Sequence, residues 1–143
     1  MAFGSVRGMA LDPALVGRTF PPTAPYDASG ERIAAFAAAT GTPYDGTGPA
    51  PATFPIVVAF AAMQQLMEDP SVGIELRHVV HGQQGFVHER PVHAGDRLTA
   101  ELTVTGVRHL GGADVISTSS AIADADGALV CTAEATLVHR AGG

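Results

Sequence analysis

Eight consecutive apolar residues, Ile56 to Met63, stand ahead of a long run of alternating apolar and polar positions, and this order restricts the fold more than any other property of the chain. An unbroken apolar run presents no polar face, so it has to be enclosed on all sides. Gln64, Gln65, Leu66, Met67 and Glu68 prolong it beyond strand length with good helix formers, which predicts a helix over residues 54–67. Thr53 is placed as its N-cap and Pro55 in its first turn, where a missing N–H is harmless; Pro70 stops it at Asp69. A second, amphipathic helix is predicted from Gly30 to Thr40. Ser29 caps it, Glu31 lies in its first turn, Ile33, Phe36 and Ala37 form its apolar stripe, and Gly41 with Pro43 closes it.

The remainder reads as strand. Leu98, Ala100, Leu102 and Val104 share one parity and Thr99, Glu101, Thr103 and Thr105 the other, the period of a half-buried strand. Leu129, Cys131, Ala133, Ala135 and Leu137 repeat the pattern, and residues 114–123 form another strand between Gly111-Gly112 and the hairpin signal Asp126-Gly127. Residues 78–92 supply a fourth strand and residues 19–26 a fifth. The expected fold class is α+β, one antiparallel sheet of about five strands around one long apolar central helix.

Three ordered segments carry a family likeness: Ala50-Pro51-Ala52-Thr53-Phe54-Pro55, then Val79-Val80-His81-Gly82-Gln83-Gln84-Gly85-Phe86, then Arg90-Pro91-Val92-His93-Ala94-Gly95-Asp96-Arg97-Leu98. From about Val16 to Arg140 the chain resembles the MaoC-like or FAS1-like dehydratase N-terminal domain. Within that family it is similar to the small subunits of actinobacterial heterodimeric (3R)-hydroxyacyl-ACP dehydratases. The likeness implies a single hot-dog domain over residues 1–143, with residues 1–8 disordered; Met9-Ala10-Leu11-Asp12 resembles a start used by relatives.

Active MaoC-like hydratases carry, after the amphipathic helix, a signature of the form aromatic-Ala-x-x-Ser-Gly-Asp-x-Asn-Pro-x-His. Its Asp and His handle the water, and a backbone N–H at the start of the central helix holds the thioester oxygen. Aligned on Gly41, this chain places Thr42 at the Asp position and Thr47 at the His position. A threonine hydroxyl is far too weak a base to replace either group near neutral pH. The segment that follows is also short beside relatives that carry an insertion there, which removes part of the usual acyl-pocket wall. Asp45 is the weak substitute carboxylate, with a turn-forming role next to Gly46 as the competing reading. The motifs point to Thr53, Phe54, His81, Gly82 and Gln84 as substrate-binding positions. For His81 a hydrogen-bonded structural role competes with a catalytic one.

Charge and composition narrow the functions further. A net charge of −6 and a pI near 5.3 argue against nucleic acid, whose phosphates need a basic surface. All eight basic residues are arginine, and Arg77, Arg90, Arg97 and Arg108 are the candidates for a local patch that docks an acidic acyl carrier protein, against scattered solvated arginines as the alternative. At 46% hydrophobic and 15% charged the chain reads as globular, and no apolar run approaches the ~20 residues of a membrane span. The first residues lack the apolar stretch of a secretory signal, so a cytoplasmic protein is expected. Cys131 is expected to be a small core residue. His78, His81, His88 and His93 are kept apart by strand geometry: His78 and His81 differ in parity, and His78 and His88 would lie roughly 33 Å apart at ~3.3 Å per residue. No metal or cofactor is expected.

Three functions fit these residues. The chain is a non-catalytic dehydratase subunit that lines the acyl channel while a MaoC-like partner supplies the Asp and His, in fatty acid, mycolate-like or polyketide elongation. Alternatively it is a stand-alone hot-dog thioesterase using Asp45, or a non-catalytic acyl-thioester-binding homodimer. Whether its thioester is carried on ACP or CoA is left open. In the first reading the central helix is too exposed in a monomer, and pairing through an edge strand is expected.

Overall fold

The computed structural model describes residues 11–140, so the expected disorder of residues 1–8 lies outside the described residues. The first helix, α1 (Gly30–Thr40), forms where its caps require: Ser29 Oγ accepts from Arg32 N–H, and Gly41 closes the helix in the left-handed region at φ +68°. The second, α2 (Ile56–Glu68), starts two residues later than expected. Thr53 is not its N-cap. A tight turn precedes the helix, with Ile56 N–H bonded to Thr53 O and Val57 N–H to Phe54 O, and Pro55 occupies the capping position without a side-chain bond. Asp69 ends it, one residue before Pro70.

Five strands follow the order β1-β3-β4-β5-β2, all neighbours antiparallel: β1 (Tyr26–Ala28), β2 (Val79–His88), β3 (Asp96–Leu110), β4 (Ala113–Ala123) and β5 (Leu129–His139). This is the hot-dog arrangement, with α2 packed against β3 and β4 and its Val58, Ala59, Ala62, Met63, Leu66 and Met67 buried. Leu98, Ala100, Leu102 and Val104 face it from β3, and Ile116 and Ile122 from β4.

The expected strand over residues 19–26 is only partly formed. The segment follows β3 through Gly17 N–H to Val104 O, Phe20 N–H to Leu102 O and Thr23 N–H to Ala100 O, but Pro21, Pro22 and Pro25 have no N–H to complete a ladder. The regular strand is therefore the three residues beyond them. Likewise β2 ends at His88, because Glu89 and Arg90 N–H both turn onto Val130 O ahead of Pro91. At the same end of β5, a register shift between β4 and β5 leaves Leu129 43% exposed and buries Val130, so the alternation read from Leu129 holds only from Cys131.

The enclosure that the apolar run calls for is not completed within one chain. The helix α2 is not enclosed on all sides: Phe60 is 45% exposed, and Ile56, Val57 and Ala61 are only partly covered. The uncovered side of α2 faces β2, the long unpaired edge of the sheet, whereas the opposite edge strand has three residues. No helix among the described residues is long and apolar enough to cross a membrane.

Candidate functional site

The loop after α1 is closed on itself. Asp45 Oδ1 accepts from Thr47 N–H at 2.9 Å, Thr47 Oγ1 at 3.2 Å and Gly48 N–H at 2.8 Å, with Gly46 at φ +93° making the turn. The backbone bond from Thr47, then that from Gly48, hold the Asp45 carboxyl below its ordinary pKa. A depressed, exposed carboxylate bonded by its own loop is a turn acceptor and a poor general base. Thr42 Oγ1 pairs with Thr40 Oγ1 at 2.9 Å and reaches Ala37 O at 3.5 Å. The Thr42 hydroxyl is thus engaged with the end of α1 and that of Thr47 within the loop. Tyr44 Oη, buried beside this loop, has no hydrogen-bond partner among the described residues, a feature the sequence did not signal.

Thr53 and Phe54 lie at the turn into α2 and have different fates. Thr53 is exposed, while Phe54 is fully buried, stacked edge-on with Phe36 at 5.4 Å and tilted against Tyr26 at 6.2 Å. Phe54 therefore joins α1 and β1 to the helix start as core. The N–H groups of Phe54, Ile56, Val57 and Val58 are already bonded to the carbonyls of Pro51, Thr53, Phe54 and Pro55. None of these four is free to hold a thioester oxygen in this conformation. His88 Nε2 donates to Ala52 O at 2.8 Å and ties the end of β2 to the same turn.

On β2 the parity argument needs correcting. A register shift between His81 and Gln83, around Gly82, leaves Val79 and His81 on the same inner face as Gln84, Phe86 and His88. Their register fixes this, since His81 sits opposite Leu137, Gln84 opposite Ala135 and Phe86 opposite Ala133, all buried on the helix side of β5. The bulge brings His81 and Gln84 together: His81 Nε2 and Gln84 Oε1 are 2.9 Å apart, and Gln84 Nε2 donates to Gly85 O. His81 also borders an apolar cleft of about 260 Å³ between α2 and β2, lined by Phe60, Met63, Met67, Val79 and Leu137. The structure thus groups His81, Gly82 and Gln84, and sets Thr53 and Phe54 apart at the other end of the helix.

The arginines divide sharply. Arg90 reaches Asp96 through both terminal nitrogens, at 2.9 and 3.2 Å, and Asp124 at 3.2 Å, pinning the 91–95 turn to the β4–β5 hairpin. Arg18 pairs with Asp69 at 2.7 Å, Arg97 with Asp27 at 3.5 Å, and Arg32 lies over the Tyr26 ring. Arg108 and Arg140 make no ion pair among the described residues, and Arg77 has only Glu75 at 4.0 Å. Pairings of Arg108 with Val115, Val115 with Val138 and Arg140 N–H with His78 O place these three at one end of the sheet.

At that end lies a polar cluster that the sequence reading missed. Asp114 is 4% exposed and accepts from His109 Nδ1 at 2.6 Å and Leu11 N–H at 3.2 Å, with His139 Nδ1 at 3.6 Å; His139 Nε2 accepts from Glu75 N–H. The available signal was the parity of Asp114 and His139, which puts both on the apolar face of their strands. Among the described residues no three His, Cys, Asp or Glu side chains are grouped to hold a metal ion.

Comparison with known proteins agrees with this architecture. The family model described as "FAS1-like, dehydratase domain region" matches residues 14–133. A UPF0336 protein of Streptomyces avermitilis is 41% identical over 93% of this chain and 97% of its own length. Another, of Leifsonia xyli subsp. xyli, is 45% identical over 91% and 96%. Among solved structures, the C-terminally truncated HadBC (3R-hydroxyacyl-ACP dehydratase) complex of Mycobacterium tuberculosis matches with TM-score 0.75 and 28% identity, over 87% of this chain and 96% of the matched one. A MaoC-like dehydratase matches with TM-score 0.75 and 26% identity over 90% of this chain but only 43% of its own.

Proposed function

The chain belongs to the family of FAS1-like dehydratase domain regions, and on that premise we propose that it is the non-catalytic subunit of a (3R)-3-hydroxyacyl-thioester dehydratase. A second hot-dog chain supplies the water-handling Asp and His, and this chain supplies a wall of the acyl channel. The observation that carries the reading is the closed loop after α1: where active relatives present an acid and an imidazole, Thr42 is bonded to the end of α1, Thr47 is bonded within the loop and Asp45 is its turn acceptor. The uncovered side of α2 and the free β2 edge supply the surface for the partner. A ten-residue edge strand with exposed Val80 and Val87, 64% and 58% accessible, pairs with another chain more readily than it stays in water.

HadBC is a (3R)-hydroxyacyl-ACP dehydratase complex, and pairing with a second chain suits a fold whose own reaction groups are missing. The substrate is a thioester on an acyl carrier protein, which docks by charge at Arg77, Arg108 and Arg140. Arg90 and Arg97, engaged with carboxylates, do not take part. A stand-alone thioesterase needs Asp45 as a base, a role its three donors oppose.

Co-expression with a catalytic MaoC-like chain tests the pairing. Sedimentation should give a one-to-one heterodimer. A homodimer that does not exchange with the catalytic chain would overturn the reading in favour of an acyl-thioester binder.

A further inference from the structure

The His81–Gln84 pair is fixed in orientation by its own bonds. Gln84 Nε2 donates to Gly85 O, so its Oε1 is the atom turned toward His81. His81 Nε2 must then carry the proton, and Nδ1 is left as an acceptor with no partner among the described residues. This acceptor stands at the rim of an apolar cleft, on an exposed side chain that a ligand entering the cleft can reach.

Position decides which reaction centre it serves. His88 touches Ala52 at the start of α2, while His81 borders the cleft with Met67 in the last turn, so β2 and α2 run in opposite directions. Seven residues of strand separate His81 from His88, about 23 Å at ~3.3 Å per residue, so His81 is out of reach of its own helix start. A partner joined through its own equivalent edge strand is related by a two-fold axis, which makes the two edge strands antiparallel. The His81 end of this chain's β2 therefore lies beside the partner strand's far end, next to the start of the partner's central helix.

Resting on the dehydratase-subunit reading, we propose that His81 is a positioning residue for the partner's reaction centre, where its Nδ1 accepts the hydroxyl of the 3-hydroxyacyl substrate. Gln84 holds the imidazole in the tautomer that leaves Nδ1 open, and the Gly82 bulge brings the two to one face. His81 transfers no proton; it selects hydroxyacyl over saturated chains.

The test uses the reconstituted complex with (3R)-3-hydroxyoctanoyl-CoA as substrate and octanoyl-CoA as inhibitor. His81→Gln keeps a polar group near Nε2 but loses the acceptor at Nδ1, whereas His81→Asn retains an acceptor close to Nδ1. His81→Gln should raise KM about tenfold, the upper range for one neutral hydrogen bond, with kcat within about threefold and inhibition by octanoyl-CoA unchanged. His81→Asn should recover most of the KM. Equal KM values for the unmodified and His81→Gln complexes, or equal weakening of substrate and saturated inhibitor, would overturn the proposal alone. A complex whose unmodified form dehydrates neither this substrate nor the same acyl chain on an acyl carrier protein overturns the subunit reading and this proposal together.

Discussion

Asp96 is the residue on which the Arg90-to-Leu98 motif closes. Burial opposes its ionisation and is the largest single influence, but Arg90, His93 N–H and the nearby positive charge together outweigh it, so its pKa lies below the ordinary 3.8. A folded-state pKa below the unfolded one stabilises fully above pH 3.8, and that stability is lost as the pH falls through the lower folded value. Asp96→Asn should therefore lower stability near neutral pH by about 1–3 kcal/mol and flatten the acid limb of a plot of Tm against pH. An acid limb that keeps its slope would assign the loss to other carboxylates. The sequence marked this motif by likeness but offered Arg90 for carrier docking. The fork onto Asp96 and Asp124 joins residues 34 positions apart, and no local pattern announces such a contact. Asp45 was readable either way, and the Gly46 turn decides for the structural role.

At the level of elements, α1 was legible to the residue because its signals are local: a serine cap, a glycine stop and an apolar stripe. The β2 face pattern was not, because a single bulge at Gly82 inverts parity and the sequence alternation does not record it. The start of α2 was misplaced for a related reason, since the turn that precedes it takes its bonds from carbonyls and leaves Thr53 exposed. Two phenylalanines, one in the turn before α2 and one on it, separate folding from pairing. Phe54, fully buried among Tyr26 and Phe36, should cost about 3–5 kcal/mol as Phe54→Ala, read by denaturant unfolding. Phe60 is 45% exposed in the lone chain, so Phe60→Asp should leave the unfolding midpoint nearly unchanged and abolish complex formation in a pull-down. Loss of folding in Phe60→Asp, or an intact complex, would mean that this side of α2 is not the pairing face.

For the whole molecule, the hot-dog arrangement followed from one apolar run and several alternating ones, and so did the exposure of a lone central helix, whereas which side of α2 stays uncovered could not be read from residues that are apolar all round. Such a helix demands full cover, and one chain supplies only part of it. The charge distribution adds a second property of the assembly: in a chain of net charge −6, Arg77, Arg108 and Arg140 gather at one end of the sheet. Charge reversal at Arg108 and Arg140 should raise KM for carrier-borne substrate at least fivefold at low salt and leave a pantetheine thioester unaffected. An equal effect on both substrates would remove the arginines from carrier docking. The missing acid and imidazole are best tested by titrating the catalytic partner with this chain, read as formation of the conjugated enoyl thioester. No turnover is expected from this chain alone, with a rate that rises to saturation at one chain per partner; efficient dehydration by the unaccompanied chain would show that it carries its own acid and base.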